Sequence, residues 1–225
     1  MKLRGIDFGN VLGGSGVQGF FGEGYWFHPV LAPFGYSFDG MTLVSKTATL
    51  LPRKGNMSLT RRFTPRWPLA RCIKVKRNAD AILNAVGLSN PGLAALLATR
   101  KWQKLEKPFG ISVMSVAETP EQRLDEECAM AYILRAHKDE FTAPFFVQIN
   151  KSCPNTDEDP HVLMGETNSS LEAFSILDVP LMPKFSVASA PIAAVMELND
   201  NELCDSIQLH ELRGVYLETR TLTAR

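Results

Sequence analysis

Short β-rich runs separated by helix-forming stretches recur along this chain. That alternation constrains the fold more than any other feature, because parallel strands can be joined only by long crossover connections. Residues 8–12, 41–50 (MTLVSKTATL), 110–115 (GISVMS), 145–150 (FFVQIN), 181–187 (LMPKFSV) and 204–209 (CDSIQL) read as strands. Between them the spacing predicts helices over residues 119–137, 167–178 and 190–199, and the stretch LAALLATRKW from residue 93 is helical as well. Thr119-Pro120-Glu121-Gln122 supplies the first of these with an N-cap threonine, a proline at the first helical position and an early acid. Residues 52–80, with RRFTPRWP and alternating lysines, break the pattern and read as an irregular or hairpin-like insertion.

The 225 residues suffice for one sizeable core, and an apolar share of 45% with 21% charged residues excludes a disordered, collagen-like or coiled-coil chain. Lys plus Arg and Asp plus Glu both total 24, so no net basic excess points to nucleic acid or to an anionic membrane. Cys72, Cys128, Cys153 and Cys204 are far apart with no C-x-x-C, which argues against a disulfide framework and against a zinc site. The start MKLRGIDFGNVLGG lacks a signal-peptide core, and no apolar run reaches the ~18 residues of a membrane helix. A cytoplasmic protein is the expectation, with no membrane partner, no nucleic-acid partner and no metal.

Asn150-Lys151-Ser152-Cys153-Pro154-Asn155 ends a strand and enters a loop. A thiol there can act as a base if cations or amide donors stabilise its thiolate, and the two asparagine amides suit the edge of a heterocycle. The same residues also read as a small buried side chain between turn formers. Asn84-Ala85-Val86-Gly87-Leu88-Ser89-Asn90-Pro91-Gly92 is a second polar loop whose glycines allow close approach of backbone to a ligand. Gly13-Gly14-Ser15-Gly16 could let a flat ring lie on the backbone, although it matches neither G-x-G-x-x-G nor a P-loop. Lys46 and Lys184 stand in β-rich runs, where a lysine either reaches outward or points into a polar site. The four histidines form no metal or protease motif, and no G-x-S-x-G is present.

Taken together and in this order, GGSG, VSKTATLLPRKGN, NAVGLSNPG, N-x-S-C-P-N and PKFSV resemble the dihydroorotate dehydrogenase family from about Ile6 to about Ile207. The paired loops are shared mainly with the barrel domain of dihydropyrimidine dehydrogenase. The resemblance implies an α/β fold, a (β/α)8 TIM barrel with bound FMN, oxidising dihydroorotate to orotate in the de novo pyrimidine pathway. Residue by residue it implies Cys153 as catalytic base together with Lys46. Ser15, Lys46, Thr47, Asn150 and Lys184 would be flavin contacts. Lys46, Asn84, Ala85, Val86, Gly87, Leu88, Asn150 and Asn155 would be substrate contacts. Cysteine rather than serine at position 153 looks like the cytosolic class, whose members are usually homodimers and in some cases work with an iron–sulfur electron-transfer subunit.

Two departures from the family pattern stand out. Lys151 replaces an apolar residue, and alternation along a strand turns it toward the helix layer, where an unpaired ammonium costs several kcal/mol. It must reach outward, find a carboxylate, or sit where the fold is loose. The second departure is the end, where QLHELRGVYLETRTLTAR follows Ile207 in place of later strands and their phosphate-binding loops. The expectation is a barrel truncated after about six strands, residues 1–207, followed by an atypical tail, 208–225, not native to the fold. Such a chain would bind FMN poorly and turn over slowly or not at all. A non-catalytic half-barrel associating with a partner chain, and a pyrimidine-base reductase on the same barrel, are the alternatives.

Overall fold

The computed structural model describes residues 1–66, 72–76, 81–151, 160–186 and 192–210. The fold is mixed α/β. Its centre is a parallel sheet of β7 (Phe109–Val113), β8 (Phe145–Asn150), β9 (Leu181–Ser186) and β10 (Gln208–His210), adjacent in that order. Parallel bridges from Val44 to Gly110 and from Ala48 to Val113 lay residues 44–48 beside β7. Just before them, β4 (Met41–Thr42) pairs in parallel with β3 (Val11–Leu12). Neighbours in space are therefore neighbours in sequence. The crossovers carry α1 (His28–Leu31), α2 (Leu93–Ala98), α3 (Pro120–His137), α4 (Pro160–Ser175) and α5 (Ile192–Asn199). The described strands do not close on themselves, so the closed (β/α)8 barrel implied by the family resemblance is not what these residues form.

Alternation along the central strands sorts their side chains onto two faces. Phe109, Ile111 and Val113, then Phe145, Val147 and Ile149, then Leu181 and Phe185, join the core beneath the helices, with Leu134, Leu171 and Phe174 from α3 and α4. On the other face, Phe146 and Met182 pack with Leu3, Phe8 and Val44 into a smaller apolar plug. Further along the same face come Ser112, Gln148, Asn150, Lys184 and Ser186, so this face is oily toward the N-terminal ends of the strands and polar toward the C-terminal ends. Burial on both faces is what a parallel sheet requires. The plug is reached by a small antiparallel hairpin, β1 (Lys2–Leu3) with β2 (Ile6–Asp7), whose turn residues Arg4 and Gly5 both take positive φ.

Several sequence expectations shift in detail. The run 41–50 is not one continuous strand, because the Lys46 amide turns away from the ladder to Gly19 O at 2.8 Å while Ala48 N pairs with Ser112 O at 2.9 Å. One residue is thereby pushed out of register, in the manner of a bulge. The strand expected over 204–209 is confined to β10, since Asp205 caps β9 instead, its carboxylate accepting from Leu181 N at 2.9 Å and from Arg4 Nε. The sheet thus continues through Gln208–His210, past the boundary expected at Ile207. Within the insertion, β5 (Ile73–Lys76) and β6 (Ala81–Asn84) form an antiparallel pair. No helix among the described residues is long and apolar enough to cross a membrane.

The start of α3 follows the sequence closely. Thr119 Oγ1 accepts from Gln122 N at 3.3 Å and Gln122 Oε1 accepts from Thr119 N at 3.4 Å, a reciprocal capping box. Thr119→Ala is expected to cost about 1 kcal/mol and to lower the melting temperature by roughly 3 °C, measurable by thermal circular dichroism.

Candidate active site

The polar face at the C-terminal ends of the strands gathers most of the residues singled out from the sequence. Ser15 Oγ donates to Ser45 O at 2.8 Å, which uses its one hydrogen. Its 3.0 Å contact with Thr47 Oγ1 is then accepted from the threonine, and the 2.9 Å contact between Thr47 and Ser112 is donated by the serine. Asn150 Nδ2 also donates to Thr47 Oγ1, at 3.3 Å. The hydroxyl relay therefore orients the Asn150 amide, with its nitrogen toward Thr47. Lys184 is the register partner of Asn150 across β8 and β9, so the two side chains stand on one face. Burial lowers the Lys184 pKa below the ordinary lysine value, and among the described residues no carboxylate contacts its ammonium.

Lys46 belongs to a second group. Its Nζ donates to Ser89 O and lies 5.2 Å from the centroid of the Phe20 ring. Burial pulls its pKa down to about 8, partly offset by Cys72 and Glu23. The glycine-rich loop wraps this side chain, since a Cβ on Gly16 would sit 3.3 Å from Lys46 Cγ, and Tyr25 donates its hydroxyl to Gly16 O at 3.0 Å. Burial raises the Tyr25 and Cys72 pKa values, so neither is an anion at neutral pH.

β6 ends at Asn84, the loop that follows carries Ala85, Val86, Gly87 and Leu88, and its hydrogen bonding is one-sided. The carbonyls of Ala85, Val86, Gly87, Leu88, Ser89 and Asn90 each accept a hydrogen bond from a protein group. By contrast, the amides of Val86, Gly87 and Leu88 have no acceptor among the described residues. Gly87 and Leu88 both take positive φ, at 65° and 56°. The Asn90 side chain holds that turn, donating to Leu88 O at 2.7 Å and accepting from Gly92 N at 2.8 Å. A run of free amides is a ready receptor for an acceptor or an anion.

The structure thus brings Ser15, Thr47, Asn150 and Lys184 to one face, and Lys46 to Ser89, just past the expected substrate residues 84–88. Cys153 and Asn155 lie outside the described residues. Sequence reasoning missed Ser112 and Ser45, which complete the hydroxyl relay, and Ser89, which receives Lys46. Ser112 was detectable in principle as the polar residue on the alternating face of GISVMS; Ser89 carried no signal beyond its place in a turn. Lys151 finds the carboxylate it needs, with Nζ 2.8 Å from Glu127 Oε1 in α3 and both side chains over nine-tenths buried. His28 is enclosed by Tyr25, Phe27, Tyr36 and Phe38, a structural placement.

No family model matches the chain. Among curated proteins, the catalytic subunit of dihydroorotate dehydrogenase B (NAD+) of Streptococcus pneumoniae is 27% identical over 98% of this chain and 65% of its own length. That of Listeria welshimeri is 26% identical over the same shares. The quinone-linked dihydroorotate dehydrogenase of Stutzerimonas stutzeri is 29% identical over 69% of this chain and 38% of its own length. The chain spans about two thirds (65%) of the length of the NAD+-linked relatives it matches along nearly its whole extent. Over that extent it is similar to the dihydroorotate dehydrogenases.

Proposed function

We propose that this chain carries the flavin-facing and substrate-facing residues of a dihydroorotate dehydrogenase, an FMN-dependent (β/α)8 barrel oxidoreductase of pyrimidine biosynthesis. The observation that carries the reading is the joining of Thr47, Asn150 and Lys184 on one polar face at the C-terminal ends of parallel strands, where barrel enzymes place their chemistry. The residues present fit the cofactor. A largely buried ammonium that no carboxylate of the described residues contacts, beside an oriented amide and a hydroxyl relay, suits the polar edge of an electron-accepting ring. When bound, FMN supplies the acceptor for the hydride that leaves the substrate.

The chain's own residues bind and orient. The free amides of residues 86–88 suit an acceptor, and dihydroorotate brings a carboxylate. Asn150 and Asn155 hold the ring by its amide edges, so positioning supplies much of the rate. Lys46 and Lys184 stabilise negative charge as it builds, and Cys153 takes the proton from carbon 5. In this reading the protein is cytoplasmic, forms homodimers and passes electrons to an iron–sulfur subunit.

The test is a flavin-fluorescence titration of the chain, followed by the spectral change on adding orotate. Asn150→Ala and Lys184→Met are each expected to weaken FMN binding roughly tenfold, the usual worth of a charge-assisted or well-placed polar contact. Unchanged affinity in both folded variants would overturn the assignment. Turnover of dihydroorotate in preference to dihydrouracil separates this reading from a pyrimidine-base reductase.

A further inference from the structure

Four of the six occupied carbonyls of the 85–90 loop trace to one neighbouring segment to which neither the sequence nor the proposed function gives a role. Arg53 and Asn90 exchange backbone hydrogen bonds at 2.8 and 2.9 Å. Arg53 Nε donates to Gly87 O at 3.1 Å. Asn56 donates twice, its backbone N to Val86 O at 2.9 Å and its side-chain Nδ2 to Ala85 O at 2.8 Å. Met57 N reaches Ser89 Oγ at 2.9 Å, and that hydroxyl donates on to Val86 O at 3.0 Å. Between these contacts the chain comes so close that a Cβ on Gly55, where φ is +50°, would lie 2.6 Å from Val86 O and 2.8 Å from Gly87 O. Only glycine fits there.

We propose that residues 53–57 are a clasp, with Arg53 and Asn56 as positioning residues, that holds the carbonyl side of the 85–90 loop and through Ser89 fixes the Lys46 ammonium beside it. The physical logic is subtraction. A peptide loop offers donors and acceptors equally, and an anion is repelled by free carbonyls; with four carbonyls taken by residues 53–57, Leu88 O by Asn90 and Ser89 O by Lys46, the groups left open are amides. The same clasp sets the position of Ser89, whose carbonyl receives Lys46. The exposed Asn56 and Arg53, the loop, the buried Ser89 and the partly buried Lys46 are thus linked in series.

The inference deepens the proposed substrate site and rests on that reading for its purpose, but its test needs no ligand. The fraction of Lys46 acylated by a short pulse of amine reagent, read by peptide mass spectrometry across pH, gives the midpoint of its titration. In the native chain that midpoint is expected at about 8, because burial disfavours the ammonium. The other titratable groups acting on Lys46 are Cys72 and Glu23, and neither is altered by the clasp variants. In Gly55→Ala, and in the double variant Arg53→Ala/Asn56→Ala, the loop is expected to loosen and admit water. The midpoint then rises by at least about one pH unit toward the ordinary lysine value. Arg53 and Asn56 are exposed, so the double variant decides the matter if Gly55→Ala fails to fold. A midpoint that stays near 8, or falls, in a folded double variant overturns the clasp. Failure of the native chain to bind FMN or orotate would instead overturn the functional reading, leaving the clasp intact.

Discussion

Lys46→Met is expected to make the protein more stable at neutral pH while removing its proposed activity. A lysine held at about 8 rather than 10.5 is a charge the fold tolerates at a cost, and the difference corresponds to about 3 kcal/mol at pH values where the ammonium is charged in both states. Losing the bond to Ser89 O returns about 1 kcal/mol of that, leaving a net gain of about 2 kcal/mol and a melting temperature higher by roughly 5 °C. The sign follows from proton counting. Between pH 8 and 10.5 the unfolded chain holds the Lys46 proton and the folded chain has released it, so native stability rises with pH across that window. The advantage of Lys46→Met is therefore full below pH 8 and fades above it. Thermal melts of both proteins at pH 7 and pH 10 measure this directly. A variant that melts lower than the native chain at pH 7 would mean that the Lys46 ammonium is a net stabiliser. Where the variant gains stability, turnover of dihydroorotate is expected to fall by about 10²-fold or more, the usual cost of losing a positioned charge at a reacting centre.

That exchange of stability for chemistry marks the boundary of what the sequence could disclose. The central strands β7, β8 and β9 were legible because each had to be buried on both faces, which leaves runs such as FFVQIN and LMPKFS with little polar content. The start of α3 was legible because a capping box is local. Lys46 was visible as an odd residue in a β-rich run, yet its departure from the ladder was not. The Lys46 amide leaves for Gly19 O, a partner more than twenty residues away, and no local pattern encodes that choice. The hydroxyl relay was half visible. Ser15 and Thr47 came through the family resemblance, but Ser112 and Ser45 matter only because three strands bring them within 3 Å of the others. The donor face of the 85–90 loop was hidden for a different reason, since it depends on which carbonyls are already taken. Lys151 was flagged by its chemistry, and the carboxylate it requires came from a helix twenty-four residues earlier.

Lys151→Met is expected to be the most damaging single substitution at that helix interface, although it installs an apolar side chain where the family pattern has one. It leaves the Glu127 carboxylate 4% exposed, with the Ser170 hydroxyl at 2.6 Å as its remaining hydrogen-bond partner. An orphaned buried charge of this kind costs about 3–5 kcal/mol, which for a chain of this length lowers the melting temperature by roughly 10 °C. Glu127→Leu strands the ammonium in the same way and should cost a similar amount. The double variant Lys151→Met/Glu127→Leu removes both charges and is expected to return to within about 1 kcal/mol of the native chain, or to exceed it, because desolvating the pair offsets most of its attraction. Melting the four proteins closes a double-mutant cycle. A coupling of several kcal/mol is the expected result, and single-variant losses below about 1 kcal/mol would show that water reaches the pair and screens it. The consequence reaches the proposed active site through the backbone. Lys151 N donates to Lys184 O at 2.9 Å, so a disturbance at residue 151 acts on the strand end that presents Asn150 and Lys184 together. A double variant that regains its melting temperature and keeps native FMN affinity would show that the ladder alone sets those two side chains. Recovered stability with weakened flavin binding would show instead that the buried pair helps to aim them.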